Sequence, residues 1–271
     1  MTNMISRRRA LALGSGVLAG VATGAVARVG TASAATDWFR LPVITANVGR
    51  DNLGARDAAF DAVRNADGEN RPLVCFQEIS EGDTGEEAMI DHYFGPLYTK
   101  AFLRHETSFR IPICVGRPWI VVSSRTQRAH GGIPGVTPTR WFNEVVVRHQ
   151  DHPTVEFAVL NTHYIANAFN GDQRTDLRDE WWLMRDVHKA RALAHHNVGR
   201  LVIWGADTNR PDFGTASDLA AEQKAFGTGI DRLHWLPGNG SVQITLNTTR
   251  TINMNVDAHN ARLAIFHVRA I

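Results

Sequence analysis

The chain has only two cysteines in 271 residues. That excludes a disulfide framework and, with no C-x-x-C spacing, a thiolate metal site. Cys75 and Cys114 each lie inside an apolar run, 73–76 and 111–115. They are expected as two free buried thiols, with a bridge between them as the alternative. A surplus of one charge is missing too. Residues 1–34 carry Arg7, Arg8, Arg9 and Arg28 and no acid, so removing them leaves four fewer than the 29 basic residues against 27 acidic ones, a net charge of −2. No overall basic charge draws this chain to nucleic acid, which leaves only a local basic groove for that role. Beyond residue 34 there is no internal repeat, low-complexity tract or Pro/Ser linker, so residues 35–271 are expected as one large domain.

The start of the chain has a different grammar. Ser6-Arg7-Arg8-Arg9 precedes a mildly apolar run from Ala10 to Ala27, interrupted by Gly14, Gly16, Gly20 and Gly24, and Ala32-Ser33-Ala34 follows. A basic stretch, an apolar stretch and a small-residue site predict a cleaved export signal over 1–34, of the twin-arginine type, in preference to a membrane anchor. The mature chain is then expected outside the cytoplasm from near Ala35, as a monomer with no integral membrane segment.

Within the remainder, strands alternate first with helices and then with other strands. Strands are predicted over 41–48, 72–78, 98–103, 110–115, 119–124, 141–149, 154–163, 201–206, 229–235, 241–249 and 262–269. One helix is predicted from a cap at Asp51 or Asn52 to about Ala66, with Phe60 and Val63 on its inner face. A short helix is predicted over 84–93. The clearest helix covers 175–196, where Leu177, Trp181, Met184, Val187, Ala190 and Ala194 recur at three- and four-residue steps. Asp151-His152-Pro153 and Pro237-Gly238-Asn239-Gly240 read as hairpin turns. The pattern favours two β-sheets covered by helices.

Four of the predicted strands stop at polar groups: Asn47, Gln77-Glu78, Asn161-Thr162-His163 and Asp207-Thr208-Asn209. An apolar run that ends on a carboxylate, amide or imidazole places that group at the rim of a sheet, where a rigid scaffold can aim it. Asn, Glu, His and Asp are the side chains of a hydrolytic metal site.

These segments resemble the endonuclease/exonuclease/phosphatase (DNase I-like) superfamily over nearly all of the mature region. The matching segments occur in the family's order: Ile44-Thr45-Ala46-Asn47-Val48, Val74-Cys75-Phe76-Gln77-Glu78, Asn161-Thr162-His163, Gly205-Ala206-Asp207-Thr208-Asn209, Gly229-Ile230-Asp231 and Asp257-Ala258-His259. The last departs from the family, in which an aspartate directly precedes the histidine. Here Ala258 does, and the acid is one step back at Asp257.

The resemblance implies an α/β fold, a four-layer α-β-β-α sandwich of two mixed β-sheets flanked by helices. It also implies hydrolysis of a phosphate ester by metal-assisted attack of water. Glu78 would bind Mg²⁺ (or Mn²⁺ or Ca²⁺), with Asn47 and Asp257 helping. Asp207 would activate the water, oriented with help from Asn209. His163 and His259 would contact the phosphate or move protons, and Asp231 would hold the ring of His259. Arg210, next to Asn209, is a candidate for a flanking phosphate, and Arg140 and Arg104 for a groove. The favoured substrate is DNA or RNA. A phospholipid or inositol phosphate is the enzymatic alternative, for which an exposed aromatic hairpin drawing on Trp119, Trp141 or Trp235 would speak. A non-catalytic binding protein is the third reading, motivated only by Ala258. His188, His195 and His196 are read as helix-end residues without a role.

Overall fold

The computed structural model describes residues 37–49, 56–68, 70–79, 85–106, 108, 110–256 and 259–271. The expected export signal, the cap at Asp51 or Asn52, Thr84 and Asp257 lie outside the described residues. All described residues fall within the unit 35–271.

The strands form two six-stranded mixed sheets. In the first the order is β11 (Val242–Val256), β12 (His259–Ala270), β1 (Phe39–Asn47), β2 (Leu73–Gln77), β4 (Ile113–Gly116) and β3 (Tyr98–Ala101). In the second it is β5 (Trp119–His130), β6 (Arg140–His149), β7 (Glu156–His163), β8 (Leu201–Asp207), β10 (Asp231–Leu236) and the short β9 (Gln223–Lys224). Each sheet has one parallel pair at its middle, β1 with β2 and β7 with β8, and its other pairs are antiparallel. Helices α1 (Arg56–Arg64) and α2 (Glu86–Phe94) cover the first sheet. Helix α3 (Arg178–His196), entered through a 3-10 turn at Thr175–Leu177, covers the second.

Both faces of the central strands are buried, which is why they read as unbroken apolar runs. Side chains alternate between two cores. On β1, Leu41 and Val43 meet the facing sheet, while Ile44 and Ala46 meet Phe60 and Val63 of α1. On β8, Leu201 and Ile203 face the first sheet, and Val202, Trp204 and Ala206 meet Trp181 and Met184 of α3. Gly205 occupies an inward-facing position close against β1 and β2 of the other sheet. A Cβ there would lie 2.9 Å from Cys75 Cβ and 3.0 Å from Thr45 Cβ.

Three expectations are corrected. The Pro237–Gly240 turn joins no hairpin, because β10 lies in the second sheet and β11 in the first. It is instead a crossing between sheets, packed against the loop before β8. A Cβ on Gly238 would lie 2.2 Å from Gly199 O, and one on Gly240 would lie 2.7 Å from it. On α3 the buried stripe is Trp181, Met184, His188, Ala192 and His195, whereas Ala190 and Ala194 are exposed. The stripe includes His188, whose Nδ1 pairs with Tyr164 Oη at 2.9 Å and whose ring packs between Phe142 and Trp204, while its buried Nε2 has no hydrogen-bond partner among the described residues. Burial pulls His188 down to about 3, so it is a neutral core residue and not a cation at a helix end. Several strands also run past their expected ends, β5 to His130 and β11 to Val256, and β12 begins at His259. Partner strands extend the ladder through polar sequence that has no apolar pattern. Cys75 and Cys114 are free and buried, as expected.

Candidate active site

The layer between the sheets changes character along its length. At one end it is wholly apolar, with Leu73, Phe157, Leu201 and Phe266. Toward the other end β2, β6 and β7 each contribute an amide. Gln77 Nε2 donates to Asn161 Oδ1 at 2.7 Å, and Asn161 Nδ2 donates to the carbonyls of Phe76 and Ile111 at 2.8 and 3.0 Å. Asn143 Nδ2 donates to the carbonyls of Ser108 and Ile111. These buried amides tie β2, β6 and β7 together without charge, and they form the floor of the site.

One rung further, three neighbouring strands end at the same level. His163 stands opposite Asp207, and Asp207 opposite Asp231. Asp207 is buried and held from several sides. Its Oδ2 accepts from Asn47 Nδ2 at 2.8 Å, and its Oδ1 accepts from the Asn209 backbone N–H at 2.8 Å. His163 Nε2 lies 3.4 Å from Asp207 Oδ2, 3.6 Å from Glu78 Oε1 and 3.2 Å from Asn209 Nδ2. Asp231 meets His259 Nδ1 at 3.1 Å, and Asp207, Asp231 and His259 each offer an atom within 4.8 Å of the others. Asn47, Glu78, His163, Asp207, Asn209, Asp231 and His259 are thus all brought to one place. Asp257 lies outside the described residues.

Two of these residues have backbones that most side chains avoid, Glu78 at φ 62° and Asn209 at φ 50°. Gln77 faces the opposite sheet, so a regular strand would send the next residue toward the helices. The left-handed turn lets Glu78 reach the same side as His163. Backbone strain of this kind persists where the surroundings fix it, and it clusters at working sites.

The electrostatics separate the two aspartates. Burial works against the charge of Asp207, but the bond to His163, the charges of His163 and His259 and the Asn209 N–H together hold it below the usual carboxylate range. Burial pushes Asp231 up, against the pull of His259, and the neighbouring Asp207 adds to the rise. Burial works to lower His259, yet its bond to Asp231 and the charges of Asp231, Asp207 and Glu78 carry it to about 9. The result is a concentration of carboxylate oxygens around two imidazoles. Oxygen donors carrying like charge suit a small hard cation, which relieves their repulsion, so the residues present fit a divalent cation.

Other expected residues take defined places. Arg210 Nε donates to Asp212 Oδ1 at 2.7 Å, and its guanidinium lies 4.2 Å above the Phe169 ring. Arg104 pairs with Asp91 on α2. Trp119 is buried, and half-buried Trp235 packs edge-on against Phe266, so neither belongs to an exposed aromatic hairpin. Arg140 and Trp141 line a cleft of about 340 Å³ that opens onto Glu78 and His163. Asn170 was not foreseen. Its Nδ2 donates to Asn209 Oδ1 at 2.8 Å and so orients that side chain. The signal available was turn chemistry just after the Thr-His pair, Asn167 through Gly171.

Solved structures share this architecture. An endonuclease/exonuclease/phosphatase from Bacteroides vulgatus superposes with a TM-score of 0.63 at 13% identity, over 85% of this chain and 100% of that one. A mannosyl-6-phosphatase from Bacteroides thetaiotaomicron gives 0.60 at 11%, over 85% and 99%. Truncated TDP2 from Caenorhabditis elegans gives 0.59 at 18%, over 84% and 97%. No family sequence model and no curated protein matches the chain. The chain has the endonuclease/exonuclease/phosphatase fold, the DNase I-like α/β sandwich.

Proposed function

We propose that this protein is a secreted, Mg²⁺-dependent phosphoester hydrolase that cleaves phosphodiester bonds of DNA or RNA. The observation that carries the reading is Asp207. It is a buried carboxylate kept ionised between Asn47, His163 and Asn209, on the same rung as Asp231 of the Asp231–His259 pair.

Glu78 and Asn47 would hold the metal, with Asp257 as a further ligand. When bound, Mg²⁺ supplies charge stabilisation at a phosphate oxygen and at the leaving oxygen. Asp207 takes a proton from the attacking water. The water oxygen forms a bond to phosphorus, the ester P–O bond breaks, and the leaving oxygen receives a proton from the His259 imidazolium. Asn209, fixed by Asn170 and by its bond to the Tyr164 carbonyl, orients the water. His259 faces the developing charge as an imidazolium, held by Asp231. His163 supports Asp207 and donates toward phosphate. Buried Trp119 and packed Trp235 favour nucleic acid over a lipid surface.

The test is hydrolysis of plasmid DNA, RNA, sphingomyelin and inositol phosphates, each with Mg²⁺ and with chelator. A nuclease should cut one of the first two and stop in chelator. Asp207→Asn should abolish turnover with little change in Mg²⁺ affinity, whereas part of the loss in Glu78→Gln should return at high Mg²⁺. Asp257→Ala should follow Glu78→Gln if it completes the metal shell. Full activity of Asp207→Asn would end the proposal. Export is proposed from the leader pattern, and blockage of secretion when Arg7, Arg8 and Arg9 become Lys is its test.

A further inference from the structure

The cleft beside the catalytic rim has a composition of its own. It is bounded by Arg110, Arg140, Trp141, Ile111, Val136 and Pro138, and it opens onto Glu78 and His163. Its position follows from register. On β6, Val145 and Asn143 face the first sheet, so Trp141 is the next residue on that face. Phe142 pairs with Thr162, which sets Trp141 beside His163 at the end of the ladder. Arg140 is held at the mouth, with its Nε donating to Thr137 Oγ1 at 3.0 Å.

We propose that this cleft is a subsite for a single nucleotide unit, with the base against Trp141 and the phosphate between Arg140, Arg110 and the catalytic rim. This rests on the phosphoesterase reading and narrows its substrate to a chain end or a small nucleotide ester. Three properties support it. At about 340 Å³ the cleft is near the lower end of ligand pockets, roughly 300–1,000 Å³, and holds one unit and not a strand. An aromatic side chain with apolar neighbours offers a stacking surface that accepts any base. Two arginines match a phosphate. A sugar phosphate would ask for strong side-chain acceptors for its hydroxyls, and among the described lining residues Glu78 is the one carboxylate, with no side-chain amide and only the Ser108 and Thr139 hydroxyls beside it.

The experiment compares two esters with the same leaving group, thymidine 5′-(4-nitrophenyl) phosphate and methyl 4-nitrophenyl phosphate. Hydrolysis adds water across the P–O bond and releases 4-nitrophenol from both. Thymidine 5′-monophosphate binding is measured in parallel by calorimetry in chelator, with glucose 6-phosphate as competitor. The thymidine ester should be preferred by at least tenfold in kcat/KM. Trp141→Ala should remove about tenfold of that preference and weaken thymidine 5′-monophosphate binding, while turnover of the methyl ester stays within twofold. Trp141→Phe should restore the preference, and Arg140→Gln should raise KM for both esters, because they share the phosphate. Equal hydrolysis of the two esters, equal loss of both in Trp141→Ala, an unchanged KM in Arg140→Gln, or displacement by glucose 6-phosphate as effective as by thymidine 5′-monophosphate itself would each overturn the subsite. If neither ester is cleaved, the phosphoesterase reading fails, and calorimetry decides the cleft by itself.

Discussion

Strand β10 carries parts of two carboxylate–imidazole pairs on its two faces. Toward the other sheet, Asp231 meets His259. Toward α3, His234 Nδ1 meets Glu222 Oε1 at 2.9 Å. Both pairs are buried or nearly so, yet their surroundings differ. Glu222 also accepts from Trp204 Nε1, from the backbone N–H groups of Ala216 and Ser217 and from the Ser217 hydroxyl. Burial works to raise it, but His234, Ser217 and these amides bring it to about 2. Every lone pair of that carboxylate has work inside the fold, and it fastens the long segment between β8 and β10. Asp231 is held by His259, faces a second carboxylate and is pushed up by burial. The same two functional groups therefore make a fastener where the donors are complete and a receptive site where they are not.

The largest effect should come from His259→Ala. Turnover should fall about 10²–10⁴-fold, the range for a group acting in general acid–base catalysis. The thermal midpoint should hardly move, because the ring is not a core contact. A loss of stability without a selective loss of kcat would erase the distinction between the pairs. Glu222→Gln should do the reverse. Denaturant unfolding should show a loss of about 3 kcal/mol, as when one partner of a buried pair is removed, while the fraction still folded keeps its kcat.

The smallest effect is the response to acid. His188 has a folded value near 3 against its usual 6.5, so the unfolded chain takes up its proton first and stability falls as pH drops from 6.5 toward 3. Glu222, depressed to about 2 from 4.5, adds stability above pH 4.5 that is lost as pH falls toward 2. Thermal midpoints measured from pH 7 to 3 should fall throughout, and Glu222→Gln should flatten the part below 4.5. Asp231, pushed up by burial, takes up its proton first in the folded chain and opposes this fall, so the profile is also measured in Asp231→Asn, where a flat curve would show that neither buried group differs between the folded and unfolded chain.

The sequence was most readable where the backbone has two buried faces. The apolar runs at β1, β2, β7 and β8 named both the strands and, through the residues that stop them, the groups at the rim. Glu78 was legible as a residue type but not as a direction, since its aim depends on a left-handed backbone that no periodicity encodes. The hairpin expected at Pro237–Gly240 failed because a turn sequence states that the chain bends and not which sheet receives the next strand. Asn170 and the cleft around Trp141 depend on tertiary proximity between a loop and a strand end, which spacing along the chain does not reveal. The buried stripe of α3 went astray at His188, because a neutral imidazole with one hydrogen bond and aromatic neighbours packs as a core ring.

The alignment of His163, Asp207 and Asp231 on one rung has a further consequence. Their separations are set by backbone ladders, whose strands lie about 4.8 Å apart, and not by the lengths of flexible side chains. The cleft, by contrast, is walled largely by connections: Val136, Pro138 and Thr139 between β5 and β6, and Ser108, Arg110 and Ile111 before β4. Reactivity and selectivity thus have separate mechanical supports. Grafting the 131–139 connection from another protein of this architecture should exchange the molecules admitted while the cutting edge stays in register, so this scaffold can be retargeted without being rebuilt.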